Sequence, residues 1–172
     1  MTYHLVLVYV SVPEEYEDEI LDEVERQIEE IGLRITRGVI VTWRNREEIE
    51  KKVLRVKDVI IRKLEEGFEG VEFLYSILEL SEDQYKSIRN LVAKKLEILC
   101  NSLISRVEKL IEDVRSCKGR EVRKYRKALQ EIEESFRKIA EFHKMFDIRH
   151  SIFDKLNKAM SELRAEFYRR LK

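Results

Sequence analysis

Apolar positions recur at two spacings over the first 80 residues, and the switches between them mark out the elements. Residues 3–12 are apolar on both alternating sets, with Tyr3, Leu5, Leu7 and Tyr9 on one side and His4, Val6, Val8, Val10 and Val12 on the other. A strand that is apolar on both faces is predicted to be central, with both faces covered. Pro13 then opens a helix, since its ring suits the first helical position and Glu14, Glu15, Glu17 and Asp18 complement the positive helix N-terminus. Tyr16, Ile20, Val24, Ile28 and Ile31 share one helical face, and Gly32 ends the run. Residues 33–36 and 39–43 predict a hairpin around Arg37-Gly38, its second strand again apolar on both sides. A second helix is predicted over 46–66, with Asn45 as its N-cap and Ile49, Val53, Val56, Ile60 and Leu64 as its stripe. Gly67 and Gly70 punctuate its exit, and a last strand covers 71–80.

The order β-α-β-β-α-β in about 80 residues is that of the split βαβ, ferredoxin-like domain. Its sheet places the first and third strands in the middle and both helices on one face. The second face then needs a cover, either the rest of the chain or a second subunit.

From residue 81 onward the period is helical throughout. Ser81 and Gln84 form a capping box, and Tyr85, Ile88, Val92, Leu96, Leu99, Leu103, Val107, Leu110 and Val114 make a stripe that predicts one long helix to about residue 115. Residues 116–119 break it. Val122, Tyr125, Leu129, Ile132, Phe136, Ile139, His143 and Phe146 mark the next helix. Phe153, Leu156, Met160, Leu163, Phe167 and Leu171 mark a third, with Ser151 as cap. The fold class is therefore α+β, a ferredoxin-like domain over 1–80 followed by an antiparallel helical hairpin or bundle over 81–172.

Charge sharpens this division. Residues 1–80 hold 11 Lys/Arg against 19 Asp/Glu, a net of −8, whereas residues 81–172 hold 23 against 15, a net of +8. The basic half suits a polyanion or the acidic half of a second copy. A charged fraction of 40%, with five glycines and one proline, points to a thermophilic protein rich in ion pairs. No signal peptide opens the chain, no run is long and apolar enough to span a bilayer, and Cys100 and Cys117 have no metal-ligand spacing. A cytoplasmic protein with two buried thiols is expected; a disulfide between them is the alternative in a hyperthermophile.

Three groups carry candidate chemistry. Arg115, Lys118, Arg120, Arg123, Lys124, Arg126 and Lys127 crowd the turn after the long helix, with Glu121 the lone acid among them. Such a concentration of cations meets phosphates; the alternative is a solvated helix end. Arg34, Arg37, Trp43, Arg44 and Arg46 surround the hairpin, where an exposed aromatic among arginines can stack a base. Trp43 can equally be core. His143, Asp147 and His150 lie at i, i+4 and i+7, and on a continuous helix would offer two imidazoles and a carboxylate to a metal. His143 also falls in the apolar stripe, which makes it a core residue instead, so no metal and no cofactor is expected. HExxH, GxGxxG, GK[ST] and GxSxG are all absent, which removes the common zinc, dinucleotide, P-loop and hydrolase readings.

Several segments together resemble the N-terminal region of ChrB-type chromate-resistance proteins: LVLVYVSVP ending at Pro13, the hairpin LRITRGVIVTW, VEFLYSILELS leading into the long helix, and YRKALQEIEESFRKIAEFHKMFDI. The resemblance implies a ferredoxin-like domain followed by helices, in a chromate-responsive transcriptional regulator that binds DNA. The hairpin turn Arg37-Gly38 departs from the acidic residue expected before that glycine. The core is also similar to that of small CRISPR-associated nucleases, but those place an aspartate at the end of the first strand, where this chain has Tyr9, Val10 and Ser11. The sequence therefore predicts a non-enzymatic, homodimeric nucleic-acid-binding regulator. Its alternatives are a protein-interaction module using the helical hairpin and a metalloenzyme at His143, Asp147 and His150.

Overall fold

The computed structural model describes residues 2–117 and 119–171, without the side chains of Asp18, Glu19 and Arg120. Four strands alternate with the first two helices: β1 (Tyr3–Ser11), α1 (Glu17–Glu29), β2 (Leu33–Thr36), β3 (Val39–Thr42), α2 (Arg46–Glu65) and β4 (Glu72–Leu80). Three helices follow, α3 (Glu82–Ser116), α4 (Arg126–Met145) and α5 (Ser151–Leu171). The chain divides into two compact units, 1–92 and 93–172, and the division lies within α3.

In the first unit the four strands form an antiparallel sheet in the order β2-β3-β1-β4, so the two strands with apolar residues on both sides are the central ones. Val6 lies between Ile40 and Ile77 in the sheet register, and it packs with Ile20, Val24 and Ile28 of α1 and with Ile49, Val53, Val56 and Ile60 of α2. Both helices thus cover one face. The other face is open within this chain: Leu7 and Tyr9 of β1 are 37% and 54% exposed, and Leu74 and Leu78 of β4 are 65% and 46% exposed. Its Tyr3 end is covered by the start of α3, where Tyr85 stacks on Tyr3 at 3.8 Å.

Local signals set the ends of these elements. Asn45 Oδ1 accepts from the Glu48 N–H at 2.9 Å, so the cap of α2 is the expected one. The capping box also forms: the Ser81 N–H donates to Gln84 Oε1 at 2.8 Å, and the Gln84 N–H to Ser81 Oγ at 3.3 Å. Residues 14–16 form a separate 3-10 turn rather than the first turn of α1. Gly38 sits at φ 72°, and a Cβ there would lie 2.2 Å from the Val8 carbonyl oxygen. Its own carbonyl accepts the Val8 N–H at 2.8 Å, which ties the hairpin turn to β1. Gly38→Ala is expected to cost on the order of 1–3 kcal/mol, read as a lower urea midpoint with an unchanged slope.

The second unit is a helical bundle. The buried residues Leu103, Val107, Leu110 and Val114 of α3, Leu129, Ile132 and Ile139 of α4, and Leu156, Met160, Leu163 and Phe167 of α5 form one core. These are the stripes predicted from the 3.6 period. Two boundaries differ. Residues Gly119–Tyr125 form a 3-10 helix, so α4 begins only at Arg126. Ser151 is the first residue of α5 rather than its cap, and the Phe153 N–H bonds the His150 carbonyl at 3.0 Å. Cys100 and Cys117 are both free and buried.

Candidate functional site

The basic segment begins where α3 ends and continues through the 3-10 helix into the first turn of α4. Val122 and Leu129 anchor it in the bundle core, which turns the intervening cations outward: Arg123, Lys124, Arg126 and Lys127 are all exposed. Lys124 lies over the Tyr125 ring at 5.0 Å, and Lys127 reaches Glu131 at 4.0 Å. Lys118 and the Arg120 side chain lie outside the described residues. Arg115 differs from the rest, because Glu162 holds its guanidinium at 2.7 Å and Glu166 lies at 3.9 Å. It belongs to the bundle and not to the free cationic surface, a correction to its place in the predicted group.

Arginine is drawn inward at Glu166, which the sequence reading did not single out. This carboxylate is buried, with 8% of its side chain exposed, and it accepts from Arg169 at 2.6 and 2.8 Å and from Arg170 at 3.1 Å. The hydrogen bonds from Arg169 hold its carboxyl below the ordinary glutamate range; burial opposes this, and Arg170 adds to it. Arg170 also donates to the Cys117 carbonyl at 3.0 Å, closing the end of α3 against α5. The signal was legible in principle, since Glu166 precedes Arg169 and Arg170 by three and four residues on one helix face.

The hairpin arginines are scattered among acids. Arg34 is paired with Glu25, and with Glu29 at 3.3 Å; Arg46 is paired with Glu50 at 2.9 Å. Trp43 is half-buried, with the Arg44 guanidinium 5.3 Å from its ring centroid. Arg37 is exposed at the turn, beside a cleft that Arg34, Glu17 and Glu25 also line. Arg34 and Arg37 share this cleft with two acids, while Arg46 is paired on α2.

The His143, Asp147 and His150 set loses its helix. α4 ends at Met145, and Asp147 adopts φ 48°, a left-handed conformation that Asp tolerates better than most residues. The three residues line one shallow hollow at the α4–α5 turn, but His143 is committed elsewhere. Its Nδ1 lies 2.9 Å from the Ile148 carbonyl, which can only accept, so Nδ1 carries the proton. Nε2 then accepts from the Cys100 thiol at 3.5 Å. Burial pushes that thiol up to about 11, so it remains a donor rather than a nucleophilic thiolate. Among the described residues no group of three or more His, Cys, Asp or Glu is placed to hold a metal ion.

Burial lowers the basicity of His143; the bond to Ile148 opposes this, and the nearby His150 adds to it. The unfolded chain therefore takes up a proton near pH ~6.5, before the folded one does, and stability falls as the pH drops through that value. Titratable neighbours are His150, whose ring centroid is 5.7 Å away, and Cys100. His143→Phe is expected to flatten the loss of stability between pH 7 and pH 5, measured as the denaturant midpoint at each pH.

No protein-family model, no curated protein and no solved structure matches this chain. Among the described residues no helix is long and apolar enough to cross a membrane.

Proposed function

We propose that the chain is a non-enzymatic nucleic-acid-binding protein in which Arg123, Lys124, Arg126 and Lys127 meet the phosphate backbone. The observation that carries this reading is the charge at the start of α4. A helix N-terminus favours acids, and α2, α3 and α5 each place acids in their first turn, whereas α4 places none there and begins with Arg126 and Lys127. Cations at that end work against the helix dipole, so they weaken the fold locally while offering a phosphate a concentrated positive charge.

The sheet order is read as ferredoxin-like, and the likeness to ChrB-type proteins makes transcriptional regulation the setting for such binding. The cluster contains no Asn or Gln to pair with an adenine edge, so weak sequence preference is expected. Fluorescence anisotropy with duplex DNA, single-stranded DNA and RNA probes at low salt tests the reading. Micromolar binding to at least one of them is expected, and no binding at tens of micromolar protein would overturn it.

A second reading has its own observation. The exposed apolar residues Leu7, Tyr9, Leu74 and Leu78 belong to the acidic half of the chain, which disfavours phosphate and suits a protein partner. The two surfaces belong to different units of the chain.

A further inference from the structure

The most unusual surface of the first unit is the outer side of β4. This is an edge strand, nine residues long, paired to β1 in unbroken register from Glu72 to Ser11 through Leu80 to Tyr3. Natural sheets protect such an edge with lysine, proline, a bulge or a short strand. Here the strand reads EFLYSILEL, with no lysine, no proline and no register shift, and its charges are confined to Glu72 and Glu79 near the two ends. Leu74, Tyr75 and Leu78 are 65%, 44% and 46% exposed along it.

Backbone direction along this edge can be derived. The Val8 N–H points to Gly38 on the β3 side, so even positions of β1 face β3 and odd positions face β4. The β4 residues opposite those odd positions are Leu74, Ser76 and Leu78, whose backbone groups are used on β1. Phe73, Tyr75, Ile77 and Glu79 then direct their N–H and C=O groups outward.

The central five residues of this row are self-complementary, whereas Phe73 and Glu79 further out would face each other. About Ser76, Tyr75 mirrors Ile77 and Leu74 mirrors Leu78. The side of α2 next to this edge continues the pattern. Ion pairs of Lys52 and Arg55 with Glu30, and of Arg62 with Glu23, mark the flank of α2 that faces α1. Leu54, Ile61 and Leu64 fall on the opposite flank, 48%, 41% and 44% exposed, with the exposed, charged Lys57 among them.

We propose that a second copy of this chain pairs antiparallel along β4 about a two-fold axis at Ser76, joining two sheets into one and burying the Leu54, Ile61 and Leu64 flank of α2 against its counterpart. An edge whose central apolar residues fall opposite one another, with exposed apolar residues of α2 on the same side, meets the demand of an isologous interface that one patch complement itself. In this register Tyr75 bonds the partner's Ile77, and the two Ser76 residues meet as a pair without hydrogen bonds, at a Cα separation of roughly 4.5 Å. That spacing admits a disulfide. Leu7 and Tyr9 lie one strand further in and take no part in the seam.

Sedimentation equilibrium of the full chain is expected to give twice the 20.7 kDa chain mass at tens of micromolar. Ser76→Cys should cross-link almost completely under mild oxidation, and the equally accessible Tyr9→Cys should not. Tyr75→Pro removes one outward N–H that the monomer does not use, so it should leave the circular dichroism spectrum intact and yield monomer. A monomeric wild-type chain would overturn the proposal. So would a dimer that cross-links through Tyr9→Cys and not through Ser76→Cys, because that result places the two sheets face to face.

Discussion

Reversing Arg123, Lys124, Arg126 and Lys127 to glutamate is expected to abolish nucleic-acid binding while leaving the protein folded and its bundle about as stable. All four side chains are exposed, and among them only Lys127 has a described ion pair, the 4.0 Å contact with Glu131. Losing this exposed i,i+4 pair costs about 0.3–0.5 kcal/mol, and the like-charge pair then made with Glu131 costs about as much again. Placing acids in the first turn of α4 should return about 0.3–1 kcal/mol through the helix dipole at low ionic strength. Binding should meanwhile fall by at least on the order of 100-fold, since four phosphate contacts vanish and four repulsions replace them. The paired readout is an anisotropy titration together with a thermal melt of the same variant. Binding retained by the variant would place the polyanion elsewhere. Binding lost together with the fold would show that the basic turn is structural.

Val6→Asp is expected to unfold the first unit or lower its melting temperature by on the order of 15 °C or more. Val6 is fully buried at the centre of the sheet, between Ile40 and Ile77 and beneath both covering helices. A carboxyl there has no partner among these aliphatic groups. Leaving it buried and unpaired costs on the order of 3–5 kcal/mol, a large part of the total stability of a domain this size. Tyr9→Asp provides the contrast from the other face of the same strand. With Tyr9 54% exposed, that change should stay within about 1 kcal/mol in dilute solution. Circular dichroism melts of the two variants read the difference directly. Equal losses would mean that the open face is buried in solution.

Elements with local signals were legible in the sequence. The hairpin strands, the Asn45 cap, the Ser81 and Gln84 capping box and the three apolar stripes of the bundle depend on neighbours three or four residues away, and each is found where the pattern places it. The end of α4 left only a faint signal, because residues 143–150 contain neither glycine nor proline; a break near Asp147 was the alternative to a continuous helix, and it is the one found. That break undid the shared helical face expected for His143, Asp147 and His150. The pairing of Arg115 with Glu162 spans 47 residues, so composition counted it among the free cations. The exposure of Leu7 and Tyr9 was hidden for a different reason. An apolar strand face reports that something covers it, not whether the cover belongs to the same chain.

The salt dependence of nucleic-acid affinity tests the central claim most directly. Each neutralised phosphate releases condensed counterions, so four contacts predict a slope of log affinity on log salt of about −3.6 for duplex DNA. Between 50 and 200 mM salt the affinity should therefore fall roughly 150-fold. A slope near zero, or one unchanged when Arg123, Lys124, Arg126 and Lys127 are reversed, would contradict the account.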